Sequence, residues 1–424
     1  MGKWTVLKQR IQEAWLYNNG YKEMPKRQTR FIEQLRKRET PIRVAFFPLN
    51  VSMWKYQGIY DLLKADSRFQ VYIVLSPGIT YKREQRLRDL SQMREYFGAR
   101  GMEYIDWALE NDEPPADIRH TLNPDIVFYT QPYHGSYHSR HFFLNFTDKL
   151  IIYSPYFYIM GPYRDNYDNV LQNVAWKCYY VNEYHLNDAR RITHNKGINA
   201  VAVGYTSADD YHQNQYKEVW KNAAGQRKRL IWAPHWTLAN DGTAGSHSNF
   251  LMMADSMASL AKRHVNDLQI AFKPHPGLLS ALYIHPEWGK AKADSYYDLW
   301  RTMPNTQLVD GPFINLFQGS DAMVHDSGSF VIDYLYFNHP VMYISKDIEH
   351  RKTFVNEPGK HAFDAHYIGR TIDDVEWFVN DVVLADADTM QATRLAFRQQ
   401  YLSQPGGKSA AQNMYDDIVR SLNI

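Results

Sequence analysis

Four short polar stretches hold the side chains that could do chemistry. The first, HDSGS at 325–329, follows the apolar AMV of 322–324 and runs into SFVIDYLYF. A strand that ends in Asp326, Ser327, Gly328 and Ser329 just before a helix can hold an anion. Main-chain N–H groups and the positive end of the helix point at it, and glycine lets a phosphate come close. Serine and aspartate also cap helices without binding anything, and the residues fit both readings. The second stretch, KPHP at 273–276, sets His275 between two prolines directly after LQIAF. Proline on both sides keeps the backbone extended, so the imidazole can be fixed to donate to a phosphate oxygen or exchange a proton with a hydroxyl; it could also simply pack. Lys273 adds charge there or lies along the strand.

The third stretch, APHWTLANDG at 233–242, offers His235 and Thr237 as phosphate or nucleotide contacts, with Trp236 as a stacking face or a packed ring. The fourth, QPYHGSYHSRH at 131–141, gathers His134, His138, Arg140 and His141 among tyrosines. Without Cys or HExxH it fits an acceptor or phosphate pocket better than a metal site, and it also reads as a solvated polar loop. Two look-alikes fail. GGKS at 406–409 has Leu402 where a phosphate-binding loop needs its first glycine, and it sits among helices. DSGSFVI around Ser329 lacks the second glycine of a GxSxG elbow.

Each stretch that survives follows an apolar, β-rich run, and those runs alternate with helical spacing. IRVAFFPLN, FQVYIVLSPG, MEYIDW, PDIVFYTQPY, KLIIYSPYF, CYYVNEY and NAVAVGY read as strands up to about residue 206. A polar segment intervenes at 211–229, and a fresh series runs LIWAP, LQIAFKPHP, TQLVD, AMVH and PVMYIS, with helices between. Alternation of this kind implies two parallel-sheet, doubly wound halves, whose ligands bind at the carboxyl ends of the strands. The expected division is a basic helical segment at 1–40, one Rossmann-like domain at 41–206, a linker at 207–229, a second domain at 230–385 and terminal helices at 386–424.

A chain of 424 residues suits two domains, and 44% hydrophobic with 22% charged residues is a globular balance. The single Cys178 excludes an internal disulfide and a cysteine-based zinc site, which fits a reducing, cytoplasmic setting. There is neither a signal-peptide pattern nor a membrane-length apolar run; LIIYSPYFYIMG at 150–161 is broken by Pro155 and reads as a buried strand with its loop. Ten Lys or Arg against four Glu in residues 1–40 favour either an anionic surface, such as the inner face of the membrane, or a solvated helical face.

In order, these pieces resemble the CDP-glycerol glycerophosphotransferase family, which builds teichoic-acid-like and capsular polymers. LIWAPHW, FKPHP and SDAMVHDSGSFVIDYLYFNHPVMYI match its AP loop, its K-x-HP segment and its SD-x4-D-x-SS-x3-DY block. Ser320, Asp321, Asp326, Ser329, Asp333, Tyr334 and Pro340 fall at matching places, and QPGGKSAAQNMYDDI looks like the family's closing segment. The resemblance covers about residues 200–420. Gly328 stands where the family has the first of two serines, His235 and Trp236 precede Thr237 where it often has Thr then Arg, and its Trp-His-Gly segment is missing.

The resemblance implies a GT-B architecture, two Rossmann-like domains facing across a cleft, with the nucleotide donor on the second. It implies attack by an acceptor hydroxyl on the β-phosphorus of CDP-glycerol, or of a related polyol-phosphate donor, with release of CMP. Asp326, Ser327, Gly328, Ser329, His235, Thr237, Lys273 and Asp333 would then face the donor, with bracing of the loop as the alternative role for Asp333. His275 would stabilise phosphate or move a proton, and His134 would activate a hydroxyl of a glycan or glycolipid acceptor. No cofactor is firmly implied; a divalent cation is compatible with the reaction although no ligand motif for one is present, and no nucleic acid is expected. Two alternatives are a sugar transferase of the same fold using a nucleotide-sugar, and a non-catalytic polymer-binding or assembly protein.

Overall fold

The computed structural model describes residues 3–111, 113, 115–133, 135–213, 216–221, 226–238 and 248–424. The chain forms two compact units, residues 1–209 with 404–424, and residues 210–403.

The first unit carries a seven-stranded parallel sheet: β1 (Ile42–Phe46), β2 (Phe69–Val74), β3 (Tyr104–Ile105), β4 (Ile126–Tyr129), β5 (Leu150–Tyr153), β6 (Lys177–Tyr180) and β7 (Ala200–Ala202). Their order is β3-β2-β1-β4-β5-β6-β7, so the winding reverses between β1 and β4, with Val44 opposite both Val71 and Ile126. The runs are apolar on both faces because helices cover both faces. Phe46, Trp54, Phe97 and Phe128 pack on one side, and Phe47, Tyr129, Phe146 and Tyr153 on the other. The basic N-terminal segment forms helices Lys3–Trp15 and Tyr21–Arg36, joined by a π-turn. Gln28 Nε2 donates to the Val174 carbonyl and Arg36 Nε to that of Leu422, so the second helix is part of this unit's body.

The second unit holds a six-stranded parallel sheet: β8 (Lys228–Ala233), β9 (Leu268–Phe272), β10 (Thr306–Leu308), β11 (Ala322–His325), β12 (Val341–Ile344) and β13 (Tyr367–Gly369). Its order, β10-β9-β8-β11-β12-β13, is the dinucleotide-fold order, with the reversal between β8 and β11. Register places His325 opposite both Ala233 and Tyr343. Trp232, Phe250, Phe272, Tyr296 and Trp300 pack ring on ring beneath the sheet, with Trp232 stacked on Phe272 at 4.9 Å between centroids.

The fold expectation of two Rossmann-like doubly wound domains holds; the boundaries differ. The segment expected as terminal helices at 386–424 is divided between the units at residue 403. Helix Ala410–Leu422 returns to the first unit, where a Cβ on Gly58 would stand 2.7 Å from that of Ala411, so glycine permits the two helices to touch. Asp209 fixes its entry, taking the N–H groups of Ala410 and Ala411 at 2.9 and 2.8 Å. The expected linker at 207–229 begins inside a helix, Thr206–Gln213. Ser409 of GGKS caps helix Ala410–Leu422 and Lys408 pairs with Asp416, so that look-alike is a helix entry. No helix among the described residues is long and apolar enough to cross a membrane.

Candidate donor site of the second unit

Because β9, β8 and β11 are neighbours, the loops leaving their carboxyl ends emerge side by side at the reversal point. These are the loops that carry His235 and Thr237, Lys273 and His275, and Asp326 to Ser329. His235 and His275 face one another with ring centroids 4.9 Å apart, and Trp236 flanks His275 at 6.0 Å while 42% exposed. Close approach explains a glycine here: a Cβ on Gly277 would meet the Trp236 ring at 3.2 Å.

Hydrogen bonding sets the protons. Gly277 N–H donates to His275 Nδ1 at 3.0 Å, and the His275 N–H donates to the Pro234 carbonyl at 3.0 Å. Burial, and then the charge of Lys273, push the His275 imidazole down to about 4, so at neutral pH it is uncharged. With Nδ1 accepting, its one hydrogen sits on Nε2, which makes the ring a donor. At His235 the Thr237 side chain lies 2.9 Å from Nδ1 and the Thr237 N–H points at the same nitrogen. Lys273 is buried, which pushes its ammonium down to about 8, and Nζ donates to the Gly311 carbonyl at 2.8 Å. It braces the loop after β10 while keeping a positive charge beside His275.

Asp326 is 3% exposed. Its carboxylate accepts from His235 N at 2.6 Å and from Asn249 N at 2.5 Å, fastening the outgoing and returning ends of the β8 loop. Burial pushes the carboxyl up to about 6, against the pull of those N–H groups. In place of the direct phosphate contact expected from sequence, this side chain has positioning work: it is already engaged, and as an anion it would repel phosphate. Asp333 is buried in the short helix Phe330–Asp333, consistent with the bracing alternative. Ser320 and Tyr334 join each other at 2.7 Å, and Asp321 takes the Arg229 N–H at 2.7 Å, so these motif residues knit the unit together.

Ser329 stands at the N-cap of that helix, yet its side chain makes no capping bond; it is exposed, with Ser327 Oγ 3.3 Å from its Oγ. The capping alternative is therefore not the one realised. A Cβ on Gly328 would meet nothing within 4 Å, so its backbone does not require glycine. His325, which the sequence reading passed over as a site residue, reaches under this loop: Nδ1 lies 3.1 Å from the Ser327 carbonyl and Nε2 3.3 Å from Nε2 of His366.

The histidine-rich stretch of the first unit is used differently. His141 is fully buried and stacked on Phe47, with Nδ1 3.0 Å from Ser76 Oγ and Nε2 3.2 Å from the Ala116 carbonyl. Burial pushes it down to about 4. Arg140 Nη1 donates to the Pro115 carbonyl, and the His138 ring meets Trp107 edge-on at 5.4 Å. His134 lies outside the described residues. Among the described residues, no group of three or more His, Cys, Asp or Glu is arranged to hold a metal ion.

A family model described as CDP-glycerol:poly(glycerophosphate) glycerophosphotransferase matches residues 164–420. No curated protein matches the chain. Among solved structures, one titled as the wall teichoic acid polymerase TagF soaked with CDPG superposes with TM-score 0.54 at 12% identity, covering 100% of this chain and 99% of that one. A UDP-GlcNAc 2-epimerase from Neisseria meningitidis bound to UDP-GlcNAc gives 0.54 at 12% identity, covering 90% and 100%. Another UDP-N-acetylglucosamine 2-epimerase gives 0.56 at 11%, covering 91% and 98%. At these identities the likeness is one of fold, and it is the two-domain GT-B class of fold that is shared.

Proposed function

The chain belongs to the CDP-glycerol:poly(glycerophosphate) glycerophosphotransferase family, and on that premise we propose that it moves glycerol phosphate, or a related polyol phosphate, from a CDP-activated donor to a hydroxyl of a cell-envelope glycan or glycolipid. The observation that carries the reading is the convergence of the neutral His275 imidazole with its Nε2–H, the His235 ring 4.9 Å from it, a buried lysine and an uncapped serine loop at the reversal point of the second sheet. That set of donors suits a diphosphate.

In the proposed reaction the acceptor oxygen bonds to the β-phosphorus, the bond from that phosphorus to the bridging oxygen breaks, and CMP leaves with the electron pair. Charge grows on the phosphoryl oxygens and on the bridge. His275 Nε2–H donates there with the His235 ring beside it, while the Ser327–Ser329 loop holds the phosphates and Trp236 offers a face to the base. With the His275 hydrogen on Nε2, charge stabilisation suits this ring better than proton removal. The proton of the acceptor hydroxyl then goes elsewhere, and His134 is the residue we assign to take it. Exposed Lys8, Arg10, Lys26, Arg27 and Arg30 on the N-terminal helices, near exposed Ile11 and Trp15, supply a basic, partly apolar surface for peripheral contact with the inner face of the membrane.

The deciding experiment presents the purified protein with CDP-glycerol, CDP-ribitol and UDP-sugars plus a polymer primer, read by mass spectrometry. Addition of polyol phosphate with release of CMP is the expected result. Transfer of a sugar without phosphate overturns the reading in favour of a sugar transferase. Polymer binding with no turnover of any donor overturns it in favour of an assembly protein.

A further inference from the structure

The first unit holds a cavity of about 220 Å³ away from the carboxyl ends of its strands. Helix Tyr21–Arg36 forms one wall, with Tyr21, Met24 and Gln28, and the amino ends of β6 and β7 form the other, with Trp176, Ile198 and Val201. Gln28 Nε2, donating to the Val174 carbonyl at 3.1 Å, ties the two walls together. Three asparagines of the lining are already engaged with one another. Asn195 N–H donates to Asn173 Oδ1 at 2.8 Å, Asn195 Nδ2 to Asn199 Oδ1 at 2.9 Å, and Asn199 Nδ2 to the Ala175 carbonyl at 2.8 Å. That side of the cavity is therefore set before any ligand arrives.

Other polar groups of the lining are still open. Trp176 is 8% exposed and Gln28 9%, yet the indole N–H and Gln28 Oε1 have no hydrogen-bond partner among the described residues. The Tyr21 hydroxyl has none either, and Pro25 has no N–H to give the Tyr21 carbonyl. A nearly buried donor and a nearly buried acceptor on one cavity suit a ligand that carries both functions. Charge narrows the class. Lys177 is the one charged side chain among the described lining residues, and Asp417 holds its Nζ at 3.0 Å. An anion would find no uncommitted cation there, and a purely apolar guest would leave the indole N–H and the amide oxygen buried and unpaired. A sugar ring meets both demands, since its hydroxyls donate and accept while its C–H face packs on an aromatic ring such as Tyr21. The volume lies below the roughly 300–1,000 Å³ of a pocket for a drug-sized molecule, which fits a single ring.

We propose that this cavity binds one uncharged sugar ring, at a site of the first unit additional to the donor site of the second. Ile198 of the lining is 63% exposed, and Lys22, Lys26 and Arg30 are exposed on the helix that forms the facing wall. The cavity thus opens beside a basic, partly apolar surface, and the ring is supplied either by a glycolipid headgroup or by a sugar carried on a polymer. The sugar site itself does not depend on the glycerophosphate transfer proposed above; only the glycolipid source rests on the membrane contact proposed there.

The experiment uses the full chain and needs no turnover. Saturation-transfer NMR with methyl glycosides of glucose, galactose, N-acetylglucosamine and N-acetylmannosamine, and with glycerol 3-phosphate as the anionic control, should show binding of at least one glycoside. Tyr21→Ala should weaken that binding by about tenfold. Trp176→Phe, which keeps a ring and removes the N–H, should weaken it by about two- to tenfold. Ile198→Trp, which fills space at an exposed position of the lining, should also weaken it and replaces either variant that melts early. Binding of none of the glycosides, or of glycerol 3-phosphate in their place, overturns the proposal; so does glycoside binding that all of the folded variants leave unchanged. Vesicles of phosphatidylcholine with and without a hexosyl diacylglycerol then separate the sources. Sedimentation of the protein raised by the glycolipid and lowered again by Tyr21→Ala makes the headgroup the occupant, whereas equal sedimentation with the soluble glycoside still bound assigns the ring to a polymer.

Discussion

The two sheets reverse their winding in the same way, between β1 and β4 and between β8 and β11, and each has histidines in the loops beyond that point. In the second unit His235 and His275 each accept a local N–H on Nδ1, and their rings meet at 4.9 Å. In the first, both nitrogens of His141 are engaged, by Ser76 and the Ala116 carbonyl, under the Phe47 ring. Topology thus fixes where a ligand could sit, and the partners of each imidazole decide whether the place is open.

Substitutions can break this contrast. His275→Ala should lower turnover by about 100-fold or more with the fold intact, as circular dichroism and melting would confirm, because a preorganised donor to the transition state is lost. Near-normal turnover would remove His275 from the mechanism. Since its imidazole is held down to about 4 by burial and by Lys273, the neutral form is complete above about pH 6, and kcat should not change between pH 6 and 8 on its account. His141→Ala should do the opposite, costing about 2 kcal/mol in denaturant unfolding by orphaning a buried hydroxyl and carbonyl. If it leaves stability untouched, His141 is not the brace its contacts indicate.

Smaller effects sharpen the comparison within the second unit. Asp326→Asn turns an amide NH2 toward one of the two N–H groups now accepted and should cost about 1.5 kcal/mol of stability. A raised carboxyl favours the protonated fold, so this group's contribution is present at low pH and lost as pH rises through about 6. The stability difference between Asp326→Asn and the parent should therefore change between pH 4 and 7. Gly328→Ser, which restores the hydroxyl of the family pattern where a Cβ meets nothing, should shift stability by less than about 0.5 kcal/mol. It should lower donor KM by about two- to tenfold if the loop holds phosphate, through one added hydrogen bond; a raised KM would place the donor elsewhere.

Most strands were readable because parallel strands covered on both faces are continuous apolar runs. Tyr367–Gly369 escaped, since three residues in AHYIGR give too short a run to separate from a loop. SFVIDYLYF reads as one helix; the chain makes an α-turn at 330–333 and then a 3-10 turn at 334–337, closed by Asn338 in the left-handed region at φ 59°. The AP, KPHP and DSGS loops could be gathered into one site because each follows a strand. What spacing could not show was direction. Asp326 reads as a donor contact beside Ser329, and only its burial and main-chain partners separate the two. His325 was hidden by its position as the last residue of a strand, and its partner His366 is 41 residues away. The domain boundaries failed for a related reason: the closing helix reads as the next element in line, while its partner surface lies at Gly58 near the start.

That returning helix has a consequence for synthesis. Residues 410–422 complete the packing around Gly58 and Arg36, so when the ribosome has finished residues 210–403 the earlier-made unit still lacks a side of its core. The half translated first is the half completed last, since Met414, Ile418 and Leu422 of its core are made only after the whole of the second unit.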